Sequence, residues 1–455
     1  MVFSEVPKES AEATASLTRK PNYSWFVSYL FSNVSGGLTS PLIPLFVVLY
    51  LHSNVELVGI TSSISSAATV PALIFWGNLS DRIGKRKIFM LIGFVGSFAS
   101  LLLILMVHTL GMYLVTLIIY QVLAMASTPV ATLLILENTA EKRWPDVMSS
   151  FNIVSYAGLV VGLATGTVIL IVYTAAGAAI LPSVYLISAV IYLLAGISAL
   201  FLLPEPKRQL ARNSKSLNRV FSFRMVERNR YFPSSVVHTP GLKGKKSKKL
   251  SPRTFKYIVL TCYLMFAFQL FFVPFPVFVI DKLGGTETQI FVMYLLNNIA
   301  SAFAFRLSGK SVGSLGIPRT LSIALGSRIA ILTAMVGTAF VFMGDGWMLW
   351  FSIAVYGVMG FFWSFISVSW VTSISHLAIP ENRGKAIGFY NSLLGVGQIA
   401  GSLLSGIVAL HFGYSWDFLL ALMAVISGAV VILRFQTAMK SYIESGDVKI
   451  AGSPN

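Results

Sequence analysis

Apolar residues in this chain run on without interruption for about 20 positions at a time, the length a helix needs to cross ~30 Å of hydrocarbon. Twelve such runs are legible: Ser24–Leu51, Leu57–Trp76, Ile88–Val107, Met112–Leu136, Val147–Tyr173, Ile180–Leu203, Phe255–Ile280, Ile290–Leu307, Thr320–Met343, Met348–Ile374, Ala386–Leu410 and Trp416–Phe435. They are continuous and do not alternate over the roughly ten-residue period of membrane strands, so the pattern predicts helices and not a barrel. The expected fold class is an all-α integral membrane protein of twelve transmembrane helices in two pseudo-symmetric six-helix bundles.

The polar positions between the runs carry the topology. The segment Gly77 to Lys87 holds Asp81, Arg82, Lys85, Arg86 and Lys87 between two apolar runs. Those charges belong at a water-facing surface, and Gly77 and Gly84 are read as permitting a tight backbone path there. Lys and Arg crowd alternate segments: Lys8, Arg19 and Lys20; the Arg82 turn; Lys142 and Arg143; the central linker; Lys310 and Arg319; Arg383 and Lys385; and the C-terminal tail. The opposite set holds only Lys282. The positive-inside rule therefore places both termini in the cytoplasm of a multi-pass protein of the cell membrane. No removable signal peptide is expected in the polar first twenty residues.

Five regions follow: a cytoplasmic tail over 1–23, a six-helix bundle over 24–203, a basic linker over 204–254, a second bundle over 255–436 and a tail over 437–455. Between Pro204 and Arg253 fourteen Lys and Arg face only Glu205 and Glu227. This linker reads as a mobile tether attracted to anionic headgroups, with Ser216 to Phe232 able to lie on the membrane surface.

Composition narrows the chemistry. The chain is 55% hydrophobic and 11% charged, with a formal charge of +17 and one cysteine, Cys262. An internal disulfide and a cysteine-built metal site are excluded. There is no phosphate-binding Gly-rich loop ending in Lys-Ser or Lys-Thr, no metal-spaced cluster and no Gly-x-Ser-x-Gly elbow, so no enzyme, cofactor or metal is expected.

The halves also repeat. Phe151-Asn152 with Gly158, Gly162 and Gly166 aligns with Tyr390-Asn391, Gly397, Gly401 and Ser405 at an offset of 239. Gly77, Asp81 and Gly84 align with Gly309, Gly313 and Gly316 at an offset of 232. Repeats of this kind point to a transporter that rocks two bundles around a site between them.

Twelve spans in two halves, a long linker and Gly-x-x-x-Asp-Arg-x-Gly-Lys-Arg-Lys after the second span together resemble the major facilitator superfamily (MFS), from Ser24 to Phe435. The resemblance implies alternating access, with a cytoplasmic gate built from Gly77, Asp81, Arg82, Gly84, Lys85 and Arg86, and with Asp81 facing the N-terminal end of the eleventh span. A carboxylate is stabilised at such a helix end. Glu137 and Arg143 are assigned to the same gate, although Glu137 is also a proton-carrier candidate. Gly158 to Gly166 resembles the fifth-span motif of the superfamily's proton-coupled exporters, with Leu163 in place of a proline, and Gln121 stands where such proteins carry an arginine. The bland reading of Gly158, Gly162, Gly166, Gly397 and Gly401 is helix packing.

The polar candidates for a substrate cavity are Asn33, Gln121, Asn152, Gln269, Asn297, Asn298, Asn391 and Gln398, with Trp363 from the aromatic cluster of the tenth span. The resemblance puts spans one, four, seven and ten along that cavity. Arg306 is expected to snorkel to the headgroups, and Arg328 can reach the interface too, with a functional role inside the span as its alternative. Pro274 and Pro276 break the seventh span.

The leading reading is a secondary transporter that moves a small, neutral or weakly charged solute, as an exporter of drug-like or metabolic compounds. An uptake carrier for a sugar, organic acid or other polar nutrient is the alternative, and a non-transporting receptor or scaffold is the reading of another class. The expected partners are the small-molecule substrate, a coupling proton or sodium ion, and the lipid bilayer with anionic headgroups at the linker. No nucleic acid is expected, and the chain is read as a monomer.

Overall fold

The computed structural model describes residues 23–83, 85–139, 144–203, 250–341, 346–378 and 383–444. The described residues form twelve helices long and apolar enough to cross a membrane, and no strand. They are α1 Phe26–Leu45, α2 Val55–Ile83, α3 Arg86–Ile104, α4a Leu110–Ala124 with α4b Thr128–Asn138, α5 Trp144–Val172, and α6 Leu181–Leu202. After the linker come α7a Pro252–Phe272 with α7b Phe275–Leu283, α8 Glu287–Leu315, α9 Ile317–Val341, α10 Gly346–Leu377, α11 Arg383–Phe412 and α12 Tyr414–Glu444. The last helix runs past residue 436, so the tail expected from 437 begins as helix. The linker of 204–249, with its Ser216 to Phe232 piece, lies outside the described residues.

Several ends differ from the apolar runs for physical reasons. α2 continues to Ile83, so Gly77, Asp81 and Arg82 are helical. This corrects the reading of Gly77 as part of the turn: a methyl group there would meet nothing within 4 Å. Gly309 and Gly313 are likewise inside α8, with open space around them. At the matching reversal of the second half, between α8 and α9, Gly316 has a φ of +79°, which favours glycine.

The fourth span breaks at Met125–Ser127, ahead of Pro129 at the start of α4b. A break inside a membrane must return partners to the backbone groups it frees. Trp76 Nε1 donates to the Val122 carbonyl at 2.7 Å, and Tyr29 Oη donates to the Ser127 carbonyl at 2.7 Å. The seventh span breaks between Phe272 and Phe275, at Pro274, as the prolines predict.

Inside each half the same pairs touch. α1 packs on α5 and α6, and α7a packs on α11 and α12. The halves meet through α2 against α11 and α5 against α8.

Candidate functional site

The glycine repeat is where the two halves are built alike. A methyl group at Gly158 would lie 2.6 Å from the Leu30 carbonyl oxygen, and one at Gly162 2.0 Å from that of Val34. At Gly397 it would lie 2.5 Å from the Cys262 carbonyl oxygen, and at Gly401 2.4 Å from that of Phe266. The glycines are 239 apart and their carbonyl partners 232 apart, so α1/α5 and α7a/α11 are the same backbone-to-backbone seam twice. Asn33 sits in the first seam, its Cβ facing Gly158, and Gln269 in the second, its Cβ facing Gly401. Gly166 does different work: a methyl group there would lie 2.2 Å from the ring of Phe291 on α8, across the boundary between halves.

Among the described residues, that boundary is close from the ends of the helices away from the linker to mid-helix, where a methyl group at Gly395 would lie 2.6 Å from Val70. Gly59 of α2 would meet the Ser402 carbonyl oxygen of α11 at 2.6 Å, and Gly406 would meet the Glu56 carbonyl oxygen at 2.9 Å. Ser63 Oγ donates to the Ile399 carbonyl at 2.9 Å, and α7b packs against α1 at the same end. The other cross-boundary contact described in the aromatic residues is Tyr156 with Phe305, 5.6 Å between centroids, nearer the linker.

The predicted polar residues fall in several distinct settings. Asn33, Asn298 and Asn391 are half-buried, and each donates to the carbonyl one turn earlier in its own helix, those of Tyr29, Tyr294 and Ile387. Gln121 donates to Ser65 Oγ, joining α4a to α2. Asn152 is exposed, one turn before Tyr156 on the face directed at α8. Gln269 and Gln398 are half-buried on α7a and α11. Asn297 belongs to a different structure: its amide donates to the Tyr356 carbonyl at 2.8 Å, beside Ser301 to the Gly360 carbonyl and Ser364 to the Ser301 carbonyl. It is part of the bolt between α8 and α10.

Of the gate residues, Gly84 and Arg143 lie outside the described residues, as do the side chains of Asp81, Arg82 and Glu137. Lys85 is exposed before the first turn of α3. Arg86 is 7% exposed and donates through Nη1 to Ser80 Oγ at 2.8 Å, fastening the start of α3 to the end of α2.

The clear correction is Arg328. Read as able to reach the interface, it is instead 2% exposed in α9 and points between α7a and α10. Its guanidinium carbon lies 4.3 Å from the Phe268 ring centre, 4.9 Å from Phe272 and 5.7 Å from Trp363. Trp363 thus belongs to an aromatic group of α7a and α10 that also holds Trp370, which stacks on Phe268 at 6.1 Å and 16°. The signal available in the sequence was the charge itself, deep in an apolar run. Asp417, fully buried in the first turn of α12, was also passed over because it follows so closely on the predicted start of its span. No group of three or more potential metal ligands occurs among the described residues.

Comparison with known proteins bears on the whole arrangement. The sequence matches the family described as Major Facilitator Superfamily over residues 25–378 and 327–446. A curated relative, "Putative glycerol-3-phosphate transporter 5" of Arabidopsis thaliana, is 29% identical over 118 residues; the match spans 24% of this chain and 23% of that protein. Among solved structures, the nucleoside transporter NupG superposes with a TM-score of 0.69 at 14% identity, covering 91% of this chain and 98% of that one. The human organic anion transporter MFSD10 gives 0.57 at 15% identity, over 90% and 98%. A bacterial homologue of the lysosomal transporter Spinster, inward-facing and unoccupied, gives 0.62 at 11% identity, over 90% and 94%. At these identities the structural likenesses establish the fold.

Proposed function

The chain belongs to the major facilitator superfamily, a family of secondary transporters, and we propose that it exports a small drug-like or metabolic compound across the cytoplasmic membrane by alternating access. The observation that carries this reading is the doubled seam: α1/α5 and α7a/α11 are equivalent rigid pairs, and the halves containing them press together towards the ends away from the linker. Two such bodies can rock about a central site without rearranging internally. With the linker and both termini in the cytoplasm, as the basic segments favour, the tight end is the outer one and the central site is reached from inside. Phe272 and Trp363, both half-buried, give that site an apolar wall, and Asn33, Gln269, Asn391 and Gln398 give it amides. Asp81 latches the cytoplasmic gate in the opposite, outward-open state, and the gradient of a coupling proton or sodium ion supplies the drive.

Purified protein in proteoliposomes tests this. Preloaded vesicles should lose an apolar drug-like tracer faster than protein-free ones, and Asp81→Asn should insert and fold normally but slow that flux. Undiminished flux in the variant removes the latch, and movement of sugars or other polar nutrients alone turns the reading to uptake.

A further inference from the structure

Arg328 stands on a peripheral helix, α9, that packs against α10 and α12, yet its side chain passes inward to the rings of α7a and α10. Its Nε and Nη1 are buried and have no hydrogen-bond partner. Arginine keeps its proton at neutral pH, so a full positive charge sits there. Cation–π contact contributes about 0.5–2 kcal/mol per ring, so three rings offset much of the several kcal/mol that removing a cation from water costs, but they give Nε and Nη1 no acceptor. The charge needs an anion.

None of the described side chains supplies one. Among the described side chains, the groups other than tyrosine and cysteine that ionise on the surrounding helices are Arg253 and Lys256 on α7a, Glu287, Arg306 and Lys310 on α8, Arg319 on α9 itself, His376 on α10, and Asp417 and Arg434 on α12, while Tyr356 on α10 lies near Arg328 as a neutral phenol. Asp417 is the buried carboxylate of this half, and both its oxygens lack a hydrogen-bond partner, so it is not bonded to Arg328. Asp281, on α7b, accepts from Tyr414 at 2.7 Å instead.

We propose that the missing partner is the transported solute, and that Arg328 receives the carboxylate of a flat, apolar monoanion such as an aromatic monocarboxylate; this rests on the transporter reading above. The rings fall into two layers. Phe268 and Trp370 are 2% and 0% exposed and stacked on each other, a fixed back wall. Phe272 and Trp363 are half-buried and form the front, beside half-buried Gln269. A carboxylate passing this front layer meets the parallel N–H donors of the guanidinium, while the body of the solute stacks on Phe272 and Trp363. One arginine neutralises one charge, so dianions and phosphate esters are rejected by the second, uncompensated charge.

The test uses the purified full chain in detergent with benzoate and 1-naphthoate as probes, and benzamide, benzylamine and phthalate as controls. Millimolar benzoate and naphthoate should raise the unfolding temperature saturably, and the neutral, cationic and dianionic controls should not. Arg328→Gln should weaken carboxylate binding about tenfold or more, the range of a lost charge-assisted hydrogen bond, with Arg328→Lys in between. Equal binding of benzamide or benzylamine, no response to either carboxylate, or unchanged benzoate binding in a folded Arg328→Gln overturns the proposal. Flux separates it from the transporter reading. Arg328-dependent benzoate binding without flux of any solute keeps the site and removes transport. Flux of a neutral solute that neither benzoate nor Arg328→Gln alters keeps transport and overturns the site.

Discussion

In the first half, buried hydroxyls close on one another. Tyr113 meets Tyr185 at 2.9 Å and Tyr120 meets Tyr192 at 3.1 Å, two rungs between α4a and α6. Ser35 and Ser188 exchange hydrogen bonds between α1 and α6, and Ser198 donates to Ser28 at 3.0 Å. In the second half the deep polar groups are larger and are left open: Arg328 Nε and Nη1, both Asp417 carboxyl oxygens, the Trp370 indole N–H and the Gln436 amide oxygen have no hydrogen-bond partner among the described residues. Among the described residues of the first half, the groups in that state are hydroxyls, those of Tyr23 and Ser155 among them. Groups that a membrane interior penalises so strongly persist where something other than stability retains them. Under the Arg328 proposal, the first half is the more fully tied scaffold and the second carries the anion-binding chemistry, on a shared helix plan.

The shared plan is the part to break first. Gly162→Val and Gly401→Val would each force a side chain into a carbonyl oxygen of the neighbouring helix, from contacts that a bare methyl group already makes at 2.0 and 2.4 Å. The obstacle is backbone, which cannot swing aside. Both variants should lose more than ~3 kcal/mol or fail to accumulate as folded protein, at the upper end of overpacking costs. Gly309→Ala and Gly313→Ala, in open space within α8, should be neutral or stabilising by up to ~1 kcal/mol. Thermal unfolding in detergent reads all four, and damage in only one half would show that the two seams are not equivalent.

The difference between halves is broken next by Arg328→Met. Replacing an unpaired buried cation with an apolar side chain of similar length should raise the ligand-free unfolding temperature, by an equivalent of about 1–4 kcal/mol. A drop instead would mean that Arg328 is a structural tie and that the second half is satisfied in the same manner as the first.

How far the sequence foretold this follows from which signals are local. A span announces itself because about 20 apolar residues in a row have few other uses, and the glycine seams announced themselves through the constant offset between halves. The break at Met125–Ser127 was marked only by Ser127-Thr128-Pro129 inside a mostly apolar run, and the groups that make it tolerable, Trp76 and Tyr29, come from other helices. Arg328 could not be oriented at all. Both faces of α9 around it are apolar, since one meets lipid and the other protein, so the pattern does not say which way a charge points. The same blindness hid that the Asn297 amide fastens α8 to α10.

Tyr120→Phe tests the other side of the comparison. It removes the hydroxyl that meets Tyr192 at 3.1 Å and Thr39 at 3.5 Å, and it leaves Tyr192 with one partner fewer in a buried site. The expected loss is about 1 kcal/mol, with no change in benzoate binding. Altered binding would bring the tyrosine ladder into the substrate site and dissolve the division of labour.

Gln436→Met should give the smallest change, and its smallness is the point. Gln436 Nε2 donates to Tyr257 Oη at 2.8 Å and to Ser373 Oγ at 3.1 Å, joining α12 to α7a and α10, while Oε1 is buried without a partner. Interhelical hydrogen bonds in membranes contribute ~0.6 kcal/mol each on average, and an unsatisfied buried acceptor costs about 1–3 kcal/mol, so removing all three together should nearly cancel. The two halves then separate in size: truncating a satisfied polar contact in the first costs about 1 kcal/mol, and truncating a half-satisfied one in the second costs close to nothing. A loss as large as that of Tyr120→Phe would show that the open oxygen of Gln436 is already satisfied in the membrane, and would confine the asymmetry to Arg328, Trp370 and Asp417.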